Sequence, residues 1–433
     1  MKNRQILVGF AATGLFFAGF EAVAAELESS LAAAAGGRLE WLRKNPRGRK
    51  AIRLFARGAA VVLICLLALE AMSAAAVHLR LVPAHMPNYR WPSFNPFWAD
   101  THAAFGVWHG AHSRYTHVTD CYNLEYKANG HGMRDRPRSL DADRPRVAML
   151  GDSFLEGYGL AREDRVSDRL ETETGVPHLN FGTSGSFGPT QYFLQYRSLV
   201  SRFDHAGVIV NLLPDNDFTD DDPEHWRKAI RERYRPYFFE TEAPGRYRLG
   251  YMHENKLGES RRIRRQEYIR GTRNVLRNFT YSARVINYFQ GWAEYAIKTD
   301  GRSVSGTVGH SGYYDYTPDQ ARRFRYVLSR LIEESEPRPV LFVVMPRPVD
   351  IERYRSGEPP PLAGLLSAIT RNRPHVAIID LLEPFARADG ADRFYNGCDG
   401  HWSPAGARFA FETIRADPVY KRFLSTINLV YVR

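Results

Sequence analysis

The stretch that decides the fold is VAMLGDSFLEGYG, from Val147 to Gly159. Its first four residues are apolar, and the run breaks off at Gly151-Asp152-Ser153. A short apolar run bounded by a glycine turn is typical of a buried strand. The serine at its end is either a nucleophile held at a sheet edge or an ordinary turn residue, and the rest of the chain decides between the two.

Four further apolar runs follow, and amphipathic stretches separate them. The runs are HLNFG (178–182), GVIVNLL (207–213), VLFVVM (340–345) and VAIIDLL (376–382). Helices are predicted near residues 164–174, 190–203, 319–334 and 404–414. Continuous apolar strands between amphipathic helices indicate a parallel sheet covered on both faces. The sequence therefore predicts an α/β fold with a parallel sheet of about five strands and a ligand site beyond their carboxyl ends.

Nucleophilic serine chemistry needs an adjacent base, a group that orients the base, and donors for the developing oxyanion. His401 is the candidate base, and Asp399, two residues before it, can reach back to fix the imidazole tautomer. Gly185 and Asn216 follow the second and third predicted strands and offer a backbone N–H and a side-chain amide. Because these groups follow successive strand ends, Ser153 is predicted to be a nucleophile.

The blocks GDSF, NFGTSG, PDND and DGH together resemble those of the SGNH/GDSL hydrolase family. The resemblance covers residues 145–417 and implies a three-layer α/β/α sandwich of flavodoxin-like type. It also implies a catalytic triad of Ser153, His401 and Asp399. The implied oxyanion hole and supporting residues are Ser153, Gly185, Asn216, Asp152 and Asp217.

The chain departs from the family pattern at two places. Pro214 stands where the third block usually opens with glycine, and the last block is Asp-x-His rather than Asp-x-x-His. The shorter spacing resembles that of SGNH-like acyltransferases that modify exported polysaccharides. Upstream, NGHGMRD with Asn129, Gly132 and Arg134 resembles a segment that precedes the serine block in membrane-anchored members.

Two apolar segments open the chain, at residues 6–25 and 58–77. Each has about the 20 residues that cross a bilayer as a helix, although each carries one glutamate, Glu21 or Glu70. The first also fits a cleaved signal peptide, with a basic start and small residues at 22–24. The alternative for the pair is a helical hairpin buried in a soluble protein.

Seven Lys or Arg residues lie within residues 43–57, directly before the second apolar segment. Basic residues beside a span stay on the cytoplasmic side. Residues 1–79 are therefore predicted to anchor the chain in the cell inner membrane. Everything after about residue 80 is predicted to lie on the extracytoplasmic, periplasmic side.

The remaining regions are assigned from their composition. Residues 80–144 are predicted to form a β-rich lead-in to a catalytic domain at 145–417, and residues 418–433 a C-terminal tail. Residues 224–317 interrupt the strand–helix alternation and are predicted to form a helical insertion. Residues 224–299 hold 17 Lys or Arg against 8 Asp or Glu. This insertion is either a solvated helix face or a cap that faces an anionic substrate or lipid headgroups.

The formal net charge of +11 favours an anionic partner. Nucleic acid is not expected, because the chain carries no zinc-finger spacing and no basic-aromatic module. The acidic run at residues 215–222 lacks the calcium-loop pattern, so neither a metal nor another cofactor is expected. Cys121 and Cys398 either pair in an oxidising compartment or are unrelated buried thiols.

Three functions fit the sequence. The first is a membrane-anchored serine esterase that hydrolyses an acyl or acetyl ester on a glycan or lipid. The second is an O-acyltransferase that moves an acetyl group onto an exported polysaccharide, with a membrane acyl-donor partner. The third is an inactive glycan-binding module, and the intact Ser153, Asn216 and His401 count against it.

Overall fold

The structure is a computed structural model that describes residues 45–82, 84, 86–87, 89, 91, 97–119, 121–227, 233–243, 245–258, 271–298 and 310–431. Within these residues the chain divides into two compact units. The smaller unit comprises the described residues up to Tyr89 together with Leu276–Ala296, and the larger unit comprises the rest. The first predicted apolar segment, residues 6–25, lies outside the described residues.

The strands of the described residues belong to the larger unit. In chain order they are β1 (Ala99–His102), β2 (Gly106–Trp108), β3 (Arg114–Val118), β4 (Asn123–Lys127), β5 (Val147–Leu150), β6 (His178–Asn180), β7 (Gly207–Leu212), β8 (Arg235–Glu240), β9 (Tyr247–Met252), β10 (Val340–Val344) and β11 (Val376–Asp380).

The helices occur in both units. In chain order they are α1 (Pro46–His78), α2 (Ser153–Glu156), α3 (Val166–Thr174), α4 (Pro189–Ser198), α5 (Pro214–Asp220), α6 (Pro223–Arg227), α7 (Tyr281–Lys298), α8 (Pro318–Ser335), α9 (Pro348–Arg355), α10 (Leu362–Thr370), α11 (Leu382–Arg387), α12 (Pro404–Ala416) and α13 (Pro418–Tyr431). A further helical stretch covers residues 271–279.

The predicted parallel sheet of five strands is confirmed. Its order is β6-β5-β7-β10-β11, and every neighbouring pair is parallel. Every residue of β5, β6, β7 and β10 is buried, so both faces of the sheet are covered there. The strand order reverses between β5 and β7, which is where open α/β sheets bind ligands beyond the strand ends.

The residues of β7 show why the sheet forms here. GVIVNL is almost continuously apolar, as expected for a parallel strand that is buried on both faces. Its one polar side chain, Asn211, donates to the carbonyl of Leu150 at 3.2 Å. This bond satisfies the buried amide and ties β7 to the last residue of β5.

In the part of the chain that the structure describes, three antiparallel hairpins lie outside this sheet, β1 with β2, β3 with β4, and β8 with β9. The first two fall within the predicted β-rich lead-in. The third falls within the insertion that the sequence predicts to be helical. Strands form there because RPYFFE and YRLGYM are rich in the aromatic residues that favour strands. The insertion therefore contains strands as well as helices.

The C-terminal residues, predicted to be a tail, contain helix α13. Its buried side chains Tyr420, Phe423 and Ile427 recur at helical spacing. A Cβ placed at Gly207 would lie 2.6 Å from Ile427 and 2.7 Å from Phe423. The start of β7 is therefore a glycine because α13 packs directly on it.

The smaller unit is built on α1, which contains the second predicted apolar segment. Asn45 caps the helix by accepting the N–H of Arg47 at 3.0 Å, and Pro46 is its first residue. The range Arg49–His78 is long and apolar enough to cross a membrane. Most of its large apolar side chains are exposed, which is the opposite of a core helix in a soluble protein.

Candidate active site

The chain turns sharply after β5 and enters α2, of which Ser153 is the first residue. Asp152 caps this short helix by accepting the N–H of Phe154 at 2.9 Å. The N–H of Ser153 has no acceptor within the helix, because the first N–H groups of a helix never do. Ser153 therefore offers both a hydroxyl and a backbone donor at the carboxyl end of β5.

Buried polar side chains hold α2 in place. Arg134 donates at 2.6–2.7 Å to three carbonyls at the end of the helix, those of Glu156, Gly157 and Leu160. The carboxylate of Glu156 accepts the N–H of Ser184, in the loop after β6, at 2.6 Å. Burial raises the pKa of Glu156, but His109 and Arg134 outweigh it and hold that pKa at about 2. The NGHGMRD segment thus fixes the turn that carries Ser153.

The structure brings Ser153 and His401 together, with Oγ of the serine 2.9 Å from Nε2 of the imidazole. Tyr158 stacks on the imidazole, with ring centroids 4.4 Å apart and an interplanar angle of 29°. The ring of Phe154 packs against it at 5.1 Å. These aromatic contacts limit rotation of the imidazole and keep Nε2 within reach of the hydroxyl, which is the geometry a general base requires.

Asp399 lies beside the other imidazole nitrogen but does not meet it in a direct hydrogen bond. Its Oδ1 is 3.4 Å from Nδ1 of His401 and accepts the backbone N–H of the same histidine at 3.0 Å. Gly400 between them has a φ of +73°, which allows this tight reversal. Among the described residues Nδ1 is buried without a hydrogen-bond partner. The short Asp-x-His spacing thus gives a 3.4 Å contact between the carboxylate and Nδ1 in place of a hydrogen bond, and this contact is an ion pair only when the imidazole is protonated.

A second element reaches Asp399 from the hairpin of β3 and β4. The hydroxyl of Tyr122 donates to Oδ2 of Asp399 at 2.6 Å. A disulfide joins Cys121 to Cys398, with Cα atoms 6.1 Å apart, so the residues directly before Tyr122 and Asp399 are covalently linked. Burial raises the pKa of Asp399, but its interactions with His401 and Tyr122 bring that pKa below its ordinary value. Asp399 is therefore held as a carboxylate.

Asp152 and Asn216 meet across the point where the strand order reverses. The Nδ2 of Asn216 donates to Oδ2 of Asp152 at 3.0 Å. Burial raises the pKa of Asp152 to about 6, against the hydrogen bonds from Phe154 and Asn216 that lower it. The bond fixes which way the amide of Asn216 faces, and its second N–H remains available to a ligand.

Asp217 is fully buried and has a structural place beside Asn216. Its carboxylate accepts the hydroxyl of Tyr192 at 2.8 Å and the N–H of Leu213 at 2.7 Å. Burial, together with the charge of Asp152, raises the pKa of Asp217 well above its ordinary value. No group of three metal-binding side chains occurs among the residues that the structure describes.

Gly185 lies in the loop after β6 with a φ of +108°. Its carbonyl accepts from the guanidinium of Arg233, and a Cβ there would lie 3.1 Å from Val107. Within the described ranges no hydrogen bond joins Gly185 to Ser153 or to Asn216. Its place in an oxyanion hole therefore stays a prediction.

Arg347, three residues after β10 and directly before α9, was not expected at the site. Its Nη1 donates to Oδ2 of Asp215 at 3.1 Å, and a Cβ at Gly400 would lie 2.9 Å from its Nη2. The guanidinium thus touches both the residue before Asn216 and the residue before His401. Arg347 could have been predicted from the sequence, because it follows the end of a predicted strand. Asn216 was chosen as a candidate for the same reason.

Tyr122 and Tyr158 were also missed. Tyr122 has no strand-end signal of its own, but a Cys121–Cys398 pair would have placed it next to Asp399. Tyr158 follows Ser153 by five residues within the opening stretch, and only the folded loop shows that its ring reaches His401.

No family model matches the chain, and no curated protein matches it. Among solved structures, the chain is similar to a lipase/acylhydrolase from Enterococcus faecalis, at 13% sequence identity and a TM-score of 0.31. The similarity covers 62% of this chain and 93% of that one. The likeness is distant, so the function is inferred from the residues of the site.

Proposed function

We propose that the protein is a membrane-anchored serine esterase of the SGNH/GDSL type. The observation that carries the proposal is the 2.9 Å contact between Ser153 Oγ and His401 Nε2. It lies after β5, beside the reversal in strand order where ligands bind on α/β sheets. A serine hydroxyl becomes a useful nucleophile when a base within hydrogen-bond reach removes its proton.

The reaction proceeds by acyl transfer through Ser153. Its Oγ bonds to the ester carbonyl carbon while His401 Nε2 takes the hydroxyl proton. The bond to the leaving alcohol then breaks, and His401 returns the proton to the departing oxygen. Water attacks the acyl-serine and loses a proton to His401. The bond between the acyl carbon and Ser153 Oγ then breaks, the acid leaves, and His401 returns the proton to Oγ. Asp399 stabilises the imidazolium that forms in each half-reaction.

The oxyanion of each tetrahedral intermediate needs donors that are already in place. In the proposal these are the N–H groups of Ser153 and Gly185 and the side-chain amide of Asn216. Asp152 supports the Asn216 amide, because its carboxylate accepts one N–H of Nδ2 and so fixes the orientation of the amide. Removing one such donor typically lowers kcat by about 10²–10³.

The membrane anchor suggests where the substrate is found. Five Lys or Arg residues lie in residues 47–57 at the start of α1, and we assign this end to the cytoplasm. The catalytic unit then lies outside the inner membrane, on the periplasmic side. We propose an acyl or acetyl ester on a glycan or lipid near that surface as the substrate class, which suits the net charge of +11.

The test uses the detergent-solubilised full chain with a chromogenic acetyl ester, with and without a polysaccharide acceptor. We expect hydrolysis that is independent of the acceptor and absent in Ser153→Ala, with circular dichroism unchanged. Acetyl groups on the sugar would instead identify an O-acyltransferase that uses the same residues. Full turnover by the Ser153→Ala variant would exclude both activities at this site.

A further inference from the structure

Glu70 lies within the apolar part of α1, where an unpartnered carboxylate is costly in a bilayer. Its two oxygens accept the N–H groups of Tyr281 and Ser282 at 2.5 and 3.0 Å. These are the first residues of α7, whose N–H groups have no acceptor within the helix. A carboxylate at a helix N-terminus is also favoured by the helix dipole. Glu70 thus caps α7.

Further contacts fix the same end of α7 to α1 and to the segment that follows α1. Nε2 of His78 lies 3.0 Å from the hydroxyl of Tyr281, and their rings are 5.5 Å apart. The backbone N–H of Tyr89 donates to the carbonyl of Asn278 at 2.8 Å. The start of α7 is therefore held from Glu70 to Tyr89, along the outward half of α1 and the segment that follows it.

The neighbours of Glu70 show what kind of surface α1 has at the level of this contact. Leu69 and Met72 are exposed apolar side chains, at 41% and 64% of their full surface. Glu70 also precedes His78 by eight residues, roughly 12 Å along a helix. The start of α7 therefore lies at a depth where the surface of α1 is still apolar.

The helix α7 has an exposed apolar face of its own. Ile286 and Phe289 are 51% and 50% exposed, and Leu276 in the preceding helical stretch is 56% exposed. Asn287 is also exposed but lies on the polar side of the helix. Five arginines at 261–270 and two more at 273 and 277 precede α7 in the sequence, which suits anionic headgroups.

We propose that α7 is a second membrane contact, an amphipathic helix seated in the outer leaflet with Ile286 and Phe289 among the acyl chains. This inference rests on the proposed anchoring of the chain by α1. The lipid bilayer is the occupant of the apolar face because α7 begins against α1 at Glu70, where the neighbouring α1 side chains Leu69 and Met72 are exposed and apolar. The helix α1 and the insertion then hold the protein to the membrane at two places.

The test reconstitutes the full chain in phosphatidylcholine–phosphatidylglycerol vesicles with and without brominated acyl chains, which quench nearby fluorophores. Single-cysteine variants I286C and F289C carry a bimane label in a Cys65→Ala background, with Cys121 and Cys398 kept as the disulfide. N287C is the matched control on the polar side of α7. L66C, on the exposed surface of α1, reports the anchor itself.

We expect at least twofold quenching at positions 286, 289 and 66, and much less at 287. Quenching at 66 alone would overturn the proposal for α7 and leave the anchor intact. Absence of quenching at 66 would overturn the anchor and the proposal together. Equal quenching at 286, 287 and 289 would contradict an interfacial helix.

The contact with Glu70 gives a second measurement. Glu70→Ala is expected to reduce quenching at position 286 by about half and leave position 66 unchanged, because the cap that seats α7 is lost. Glu70→Gln keeps one acceptor oxygen and is expected to retain most of the quenching. Unchanged quenching in the alanine variant would show that Glu70 does not position α7.

Discussion

The hydroxyl of Tyr122 donates to Oδ2 of Asp399 at 2.6 Å, and the disulfide joins the residue before each of them. Asp399 is thus held from two sides, by its own turn to His401 and by the hairpin of β3 and β4. Nδ1 of His401 lies 3.4 Å from the carboxylate of Asp399, too far for a strong hydrogen bond. We therefore infer that the bond from Tyr122 keeps Asp399 in place.

Removal of the Tyr122 hydroxyl is the first test of this arrangement. Tyr122→Phe is expected to lower kcat about tenfold with little change in KM, since a hydrogen bond to a charged group contributes about 1.5–3 kcal/mol. The bond lowers the pKa of Asp399, so its loss is expected to raise that pKa. Tyr314→Phe, which removes a hydroxyl bonded to the Glu358 carbonyl, is the control and should change neither quantity.

The disulfide is expected to support both stability and activity. It closes a loop with a sequence separation of 277, and cross-links of this kind contribute typically about 2–4 kcal/mol. The double variant Cys121→Ser/Cys398→Ser should melt at a lower temperature and lose kcat at least as strongly as Tyr122→Phe. Cys65→Ser, on α1, should change neither. A double variant with wild-type kcat would show that the cross-link does not position Asp399.

Asp399→Asn tests the role of the carboxylate directly. The amide is uncharged, so it cannot stabilise the imidazolium, and kcat is expected to fall more than tenfold with folding intact. The measurement is steady-state hydrolysis beside a thermal melt. A loss of less than about tenfold would argue that His401 works without Asp399, as the 3.4 Å contact alone would allow.

Asp152→Asn is expected to change stability and activity in opposite directions at neutral pH. Burial raises the pKa of Asp152 from 3.8 to about 6, so the folded state binds its proton more tightly than the unfolded state. The stability this provides is full below about pH 4 and is lost as pH rises through 6, at a cost of up to about 3 kcal/mol. The asparagine variant should therefore gain stability at pH 8 and not at pH 4.

The same variant should lower kcat. An amide at position 152 would place its own N–H₂ group next to that of Asn216, and two donors cannot bond to each other. The Oδ1 of Asn216 has no hydrogen-bond partner among the described residues, so it is available to take the place of Nδ2. The side-chain amide of Asn216 is then expected to flip, so that its N–H₂ group no longer faces the oxyanion, and kcat is expected to fall by about 10²–10³. Melting curves at pH 4 and 8 with kcat at pH 8 test both effects. An equal gain at the two pH values, or an unchanged kcat, would contradict the assignment.

The central sheet could be predicted closely from the sequence because buried parallel strands are continuous apolar runs. The five predicted runs overlap β5, β6, β7, β10 and β11 and extend up to two residues beyond their ends. The overruns at 213 and 345 have a simple cause, since Leu213 and Met345 are buried apolar residues that follow the last paired position. Burial continues there beyond the last paired residues of the strands.

Short elements were harder to predict. The helices α5 and α9 begin with a proline shortly after a strand ends, and their seven or eight residues give too little periodicity to detect. The helix α13 did carry a signal, because Tyr420, Phe423 and Ile427 recur at helical spacing. The hairpin of β8 and β9 was hidden by the high charge of the insertion around it.

At the candidate site, the strand-end rule points to Ser153 and Asn216, because it depends only on local sequence and on the direction of the strands. It could not identify Tyr122, whose contact with Asp399 joins positions 277 residues apart. It also could not show that Oδ1 of Asp399 accepts the backbone N–H of His401, since that hydrogen bond depends on the conformation of Gly400.

The most direct measurement is the mass of the intact chain after reaction with a fluorophosphonate, followed by peptide mapping. A serine activated by His401 should form one phosphonyl adduct, located on Ser153, and the adduct should be absent in Ser153→Ala and slowed in His401→Ala. An unmodified folded chain, or an adduct that persists in Ser153→Ala, would contradict the assignment of Ser153 as the nucleophile.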